Sequence, residues 1–171
     1  MIIIVMGVSG SGKTTVGRLL AQRLGWPFYD GDDFHPAANI AKMRSGIPLT
    51  DEDRANWLTT LADLLRSLIA DGRSAVLACS ALRRAYRDQL RVASTAVQFV
   101  YLKGSYDLIV ERMSSRSTHY MKPNMLASQF AALEEPRGDA LTVDITLPPE
   151  EIVDQVVRAL GRLPRPDLQS W

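Results

Sequence analysis

Ile2-Ile3-Ile4-Val5-Met6-Gly7-Val8-Ser9-Gly10-Ser11-Gly12-Lys13-Thr14 opens the chain with an apolar run that passes directly into the pattern G-x-x-x-x-G-K-[ST]. A continuous apolar pentad reads as a strand buried on both faces. The glycines let the backbone turn successive N–H groups inward, toward phosphate oxygens. From Lys13 the spacing becomes helical through Leu24, so the positive end of a helix faces the same point. Strand, loop and helix together form a P-loop. Its candidate ATP-binding residues are Gly7, Val8, Ser9, Gly10, Ser11, Gly12, Lys13, Thr14 and Thr15; Lys13 reaches the outer phosphates as a catalytic cation, and Thr14 ligates Mg²⁺.

Beyond this opening, apolar runs alternate with helix-period stretches, the pattern of an α/β, three-layer, doubly wound parallel sheet. Five strands are predicted: Ile2 to Met6, Pro27 to Tyr29, Ala75 to Cys79, Val97 to Leu102 and Leu141 to Thr146. Helices are predicted over Ala37 to Arg44, Ala55 to Ala70, Arg83 to Val92, Tyr106 to Arg116, Met125 to Leu133 and Glu150 to Leu160. Thr50 and Asp53 form a capping-box pattern ahead of the second of these, whose leucines are core residues.

The 171 residues, 46% hydrophobic, suit one domain spanning 1–171. A net charge of +1 gives no global attraction to nucleic acid or to anionic membrane, and no apolar run reaches membrane-spanning length. A small-molecule substrate is therefore expected. The single cysteine, Cys79, excludes an internal disulfide and suits a reducing compartment, so the expected location is the cytoplasm.

In a doubly wound sheet, chemistry sits in the loops after the strands. The second such loop, Tyr29-Asp30-Gly31-Asp32-Asp33-Phe34-His35-Pro36, holds three carboxylates in four residues. Phosphoryl transfer to an alcohol needs a carboxylate that orients the hydroxyl and takes its proton, together with support for Mg²⁺. Asp32 is read as the catalytic carboxylate and Asp30 as an outer-shell partner of the metal. Acidic residues also turn chains and cap helices, which suits Asp33.

The stretch Asp30 to Pro36, with Asn39, Lys42-Met43, Gly46, Pro48 to Arg54 and Trp57-Leu58, closely resembles the gluconokinase family. Cys79-Ser80-Ala81-Leu82, Tyr86-Arg87-Asp88, Tyr101 to Gly104, Arg112, Arg116, His119, Gln129-Phe130, Leu133-Glu134 and Pro136 continue the resemblance in order over most of the chain. Asn56 in place of a proline and Tyr120-Met121 in place of two aromatics depart from the pattern. The resemblance implies a P-loop fold of the nucleoside- and shikimate-kinase type with a lid, a homodimer, and phosphorylation of D-gluconate by ATP to give 6-phosphogluconate. Shikimate-kinase-like and adenylylsulfate-kinase-like enzymes share the P-loop and lid but not the Asp-Gly-Asp and Cys-Ser-Ala-Leu signatures. A nucleotide-dependent sensor without turnover is the alternative of another class, and the presence of Lys13, Asp32 and Arg116 argues against it.

Gluconate places a carboxylate at one end and the reactive C6 hydroxyl at the other. Arg54, Arg87 and Lys42 are candidates for the carboxylate. Asp32, His35, and Ser80 with the backbone at Ala81 and Leu82 are candidates for the hydroxyls. For Arg87 a surface charge paired with Asp88, and for Lys42 a solvated helix face, are equally open. The polar segment about 114–124 reads as a lid in which Arg116 meets charge on the γ-phosphate and His119 orders the flap against the substrate. Arg112 stacks on adenine or holds phosphate, and Pro148 packs on adenine or only starts the final helix. Trp57 and Cys79 are read as core, and the tail about 162–171 as loosely held.

Overall fold

A computed structural model describes residues 1–115 and 123–161. Strands β1 (Ile2–Met6), β2 (Phe28–Asp30), β3 (Ala75–Ala78), β4 (Val97–Lys103) and β5 (Leu141–Asp144) pair in the order β2-β3-β1-β4-β5. Every pairing is parallel. The helices are α1 (Lys13–Leu24), α2 (Ala37–Arg44), α3 (Asp51–Ala70), α4 (Arg84–Leu90), α5 (Tyr106–Ser114), α6 (Pro123–Ala132) and α7 (Pro149–Leu160).

Central β1 is buried along its whole length, and its alternate residues feed two cores. Ile2, Ile4 and Met6 meet Trp57, Leu58, Leu61, Leu65 and Leu68 of α3 and Leu90 of α4. Ile3 and Val5 meet Val16 and Leu20 of α1, Ile109 of α5, and Ile152, Val153 and Val156 of α7. Each of these large side chains contributes roughly 1.5–3 kcal/mol by leaving water, so the sheet is clamped from both sides.

All five predicted strands are present; β1 has the predicted ends, and the other four are shifted by one or two residues at one or both ends. β5 stops at Asp144, not Thr146, because the Asp144 carboxylate accepts from the Thr146 N–H at 2.8 Å and turns the chain. α3 starts at Asp51, four residues before the predicted Ala55. Both capping-box bonds form there: Asp53 N–H to Thr50 Oγ1 at 3.1 Å, and Thr50 N–H to Asp53 Oδ2 at 2.9 Å. Among the described residues no helix is long and apolar enough to cross a membrane.

Candidate active site

The β1–α1 loop carries positive φ at Gly7, Gly10 and Gly12. A Cβ at Gly7 would sit 3.0 Å from the Leu102 carbonyl oxygen, and one at Gly10 would sit 2.9 Å from the Met113 side chain. At Gly12 a Cβ would meet nothing within 4 Å, so only the backbone conformation demands glycine and the space over the α1 N-terminus is open. Gly12 is the N-cap of α1 and offers no side chain to its first N–H groups. Ser11 Oγ is buried without a hydrogen-bond partner among the described residues. Open N–H groups, an orphaned hydroxyl and Lys13 fit a polyphosphate chain.

Lys13 Nζ donates to the Val8 carbonyl at 3.0 Å, which holds the ammonium over the loop. Burial pushes its pKa below the usual lysine value, while the negative charges of Asp32 and Asp30 push back. The Gly7 N–H donates to the Ser80 carbonyl at 3.3 Å, tying the loop to the end of β3.

The acidic stretch expected as a loop is a 3₁₀ turn, Gly31–Phe34, capped by Asp30; Asp33 lies within it and does not cap the next helix, α2, whose N-cap is Pro36. Asp30 Oδ1 accepts from the Asp32 N–H at 3.2 Å, and its Oδ2 accepts from the Thr14 hydroxyl at 2.9 Å. One carboxylate therefore shapes the turn and marks the rim of the phosphate loop. Two contacts hold the turn in place. A Cβ at Gly31 would lie 2.7 Å from the Ala78 carbonyl oxygen, so the chain packs there at backbone distance. Trp57 Nε1 donates to the Gly31 carbonyl at 2.7 Å. Trp57 is core as expected, at 1% exposure, but its indole N–H also fixes the turn.

Asp32 projects outward, its side chain 76% exposed, with Oδ1 at 3.9 Å from His35 Nε2. His35 stacks on Trp57 with ring centroids 4.2 Å apart and planes at 14°. Burial lowers its pKa, Asp32 opposes this and Arg54 reinforces it, so the ring is neutral at pH 7.

The three cations expected to share the carboxylate end of the substrate separate. Arg87 is corrected: it is 2% exposed, its Nε donates to Asp139 Oδ2 at 3.1 Å, and its Nη1 donates to the carbonyls of Ala81, Leu82 and Glu134 at 3.3, 3.3 and 3.0 Å. Its Nε and Nη1 are spent inside the protein, and its 2% exposure leaves little room for a ligand. Lys42 sits on a helix face with its side chain 41% exposed, but it is no free cation, since its Nζ donates to Asp53 Oδ1 at 2.6 Å. That bond first, and the Thr50 N–H second, hold the Asp53 carboxyl down at about 2. Arg54 is different. Its Nη1 donates to the Leu49 carbonyl at 2.6 Å and its guanidinium lies 5.9 Å from the Tyr86 ring centroid; among the described residues Nε and Nη2 have no hydrogen-bond partner.

Ser80, Ala81 and Leu82 follow β3 with Ala81 at φ 44°, a conformation alanine adopts only where its surroundings enforce it. Arg87 from one side and the Glu134 N–H, donating to the Leu82 carbonyl at 2.9 Å, supply that enforcement. Cys79 is buried, and burial pushes its thiol up to about 12, consistent with a filler and not a nucleophile.

Arg112 on α5 donates to the carbonyl of Ile145, which brings it beside the loop that leads to Pro148, the residue capping α7. Arg116, His119 and most of the expected lid lie outside the described residues, as does the tail 162–171. Two contributors had no role on sequence grounds. Gln129 of α6 grips the phosphate loop, accepting from the Ser9 N–H at 2.7 Å and donating to Ser9 Oγ at 2.9 Å. Asn39 is buried between His35 and Asp53. The only signal of either was its place in the family-like pattern.

The sequence model of the shikimate kinase family matches residues 9–160. A gluconokinase from Gluconobacter oxydans is 44% identical, with 91% of this chain and 89% of that protein covered. A probable gluconokinase from Mus musculus is 45% identical, with 93% and 97% covered. The crystal structure of a gluconokinase from Sinorhizobium meliloti superposes with a TM-score of 0.86 at 45% identity, covering 94% of this chain and 91% of that one.

Proposed function

The chain belongs to the gluconokinases, within the shikimate-kinase-like family of P-loop kinases, and we propose that it transfers the γ-phosphoryl group of ATP to the C6 hydroxyl of D-gluconate, giving 6-phospho-D-gluconate and ADP. The observation that carries this reading is the side-by-side placement of the phosphate loop and the acidic turn, tied by the Thr14 hydroxyl donating to Asp30 Oδ2 at 2.9 Å, with the exposed Asp32 carboxylate two residues on. A phosphate cradle and a proton acceptor facing one another are what transfer to an alcohol requires.

In this reading the loop Gly7 to Thr15 wraps the phosphates, with the N–H groups that carry no internal bond, those at the start of α1 among them, and the Lys13 ammonium holding them and balancing charge as it moves toward the β–γ bridging oxygen. Asp32 orients the C6 hydroxyl and takes its proton while the new O–P bond forms and the bond to ADP breaks. Thr14 and, one shell out, Asp30 offer hard oxygen ligands suited to Mg²⁺. That ion, when bound, screens the β- and γ-phosphate oxygens. Arg54 takes the gluconate carboxylate through its Nε–Nη2 edge, a planar two-donor match. His35 and the Ser80–Leu82 backbone take hydroxyls along the chain. Arg112 and Pro148 flank the adenine, and Arg116 with His119 closes over the transferring group.

The test is ADP release with Mg-ATP and D-gluconate, shikimate, adenylylsulfate, glucose or no acceptor, with the phosphorylated carbon identified by NMR. Saturable turnover with gluconate alone and phosphate on C6 supports the reading. Turnover with another acceptor, or none above the acceptor-free rate, overturns it.

A further inference from the structure

Asn39 is 3% exposed and spends its amide entirely inside the protein. Its Nδ2 donates to the backbone carbonyl of Asp53 at 2.7 Å. Only the NH₂ end of an amide can face a carbonyl oxygen this closely, so the side chain has one possible orientation. The same nitrogen lies 3.3 Å from His35 Nδ1. Its second hydrogen points at that ring atom, which must offer a lone pair, and the proton of the neutral ring therefore sits on Nε2.

Nε2 is the ring atom on the Asp32 side, 3.9 Å from Oδ1. That separation is too long for a direct hydrogen bond, yet short enough for one hydroxyl oxygen to contact both groups. We propose that Asn39 is a positioning residue that locks His35 as the Nε2–H tautomer, so that the ring donates to the acceptor hydroxyl while that hydroxyl gives its own proton to Asp32. The proposal rests on the reading of Asp32 and His35 as the acceptor side of the site. A hydroxyl has one proton to give and lone pairs to receive, and this arrangement supplies one donor and one acceptor. The opposite tautomer would set two acceptors against one proton, and His35 would compete with the carboxylate that has to receive it.

The surroundings enforce the same polarity. Stacking on Trp57 fixes the ring plane. Of the charged groups facing the ring, Asp32 from the 3₁₀ turn favours protonation and Arg54 from α3 opposes it. A proton on Nδ1 would also meet the Asn39 amide hydrogens head-on.

The chain has two histidines, so the imidazole nitrogens of the ¹⁵N-labelled full-length protein can be assigned by loss of the His35→Gln signals. At pH 7.5 we expect Nε2 protonated and Nδ1 bare. Asn39→Leu, which keeps the volume and removes the donor, should give a tautomer mixture and a kcat about tenfold lower with the KM for Mg-ATP unchanged, a fall equal to roughly 1.4 kcal/mol of barrier. Asn39→Asp should move the proton to Nδ1 and shift the acid limb of the rate profile to higher pH. An Nδ1–H tautomer in active wild-type protein, or Asn39→Leu with an unchanged tautomer and kcat, overturns the role of Asn39. Wild-type protein that turns over another acceptor but not D-gluconate overturns the acceptor assignment instead.

Discussion

Replacing Arg87 with Met separates a structural tie from a substrate fork. The native guanidinium meets three carbonyl oxygens and one carboxylate from inside the protein. Met keeps most of the stem volume but removes the donor from all four acceptors; the Leu82 carbonyl keeps the Glu134 N–H and Asp139 keeps Arg91 at 3.6 Å, while no other donor reaches the Ala81 and Glu134 carbonyls among the described residues. Breaking one side of a buried ion pair costs about 3–5 kcal/mol. Asp139 can also recover some hydration because its side chain is 30% exposed, whereas the buried Ala81 carbonyl cannot readily do so. For a protein of this length, at about 2–4 °C per kcal/mol, the melting temperature should fall by about 6–20 °C. Asp139 reports the same loss: burial alone would raise its pKa, yet the Arg87 hydrogen bond and charge hold it below the usual carboxylate value. Arg87→Lys should recover less than half of the stability, since a compact ammonium cannot span carboxylate and carbonyls together. Thermal melts and urea midpoints give the first answer, and gluconate KM well below the melt gives the second. A variant with wild-type stability but a KM raised tenfold or more would refute the structural reading and restore Arg87 to the substrate.

Three further outcomes are expected. Gly31→Ala would place a methyl 2.7 Å from the Ala78 carbonyl, so it should cost about 1–3 kcal/mol and lower kcat as Asp30 and Asp32 are displaced; an unchanged urea midpoint would contradict the close approach. The Cys79 thiol, moved from 9.0 to about 12 chiefly by burial, should react with iodoacetamide at pH 8 about a thousandfold more slowly in folded than in unfolded protein, and labelling at a free-thiol rate would show that it is not buried. His35 has a folded pKa below 6.5, so the unfolded chain takes up its proton first and stability should decline as pH drops below about 6.5; Asp53, at about 2 against 3.8 unfolded, adds a second loss as pH falls from about 4 toward 2. Urea midpoints across pH should show the upper step vanish in His35→Gln and the lower step shrink in Lys42→Met, and steps insensitive to both would disprove the assignments.

The phosphate loop and β1 could be read from sequence because local rules determine them: an unbroken apolar run, glycines where φ must be positive, and a helix beginning at Lys13. The acidic turn was half legible. Its carboxylates stood out, but the 3₁₀ geometry depends on Trp57 reaching the Gly31 carbonyl from 26 residues away. The ion pairs of Arg87 and Lys42 were not legible for one shared reason. Their partners, Asp139 and Asp53, lie 52 and 11 residues off on other elements, and spacing along one helix cannot reveal a partner that only tertiary packing delivers. Asn39 and Gln129 had no individual signal, because an amide becomes informative only once both neighbours are known.

Removing Arg87 and Lys42 from the list of substrate cations makes the acceptor reading narrower and more demanding. In the proposed reading Arg54 anchors the substrate carboxylate at the first turn of α3, whose start is fixed by the Thr50–Asp53 capping box and by the Lys42 bond to Asp53. The reactive end is set independently, by a 3₁₀ turn clamped between Ala78 and Trp57. Yet the two are linked, since Trp57 lies three residues, less than one turn, from Arg54 on that same α3, so one helix supports both ends of the proposed ligand site. On this reading a sugar acid is selected by length as well as by charge, and an acid one carbon shorter, which loses either the Arg54 or the Asp32 contact, should show a lower kcat/KM than D-gluconate. In the same reading Lys42 bears on specificity without touching the substrate: by holding Asp53 it holds the turn of α3 from which Arg54 projects.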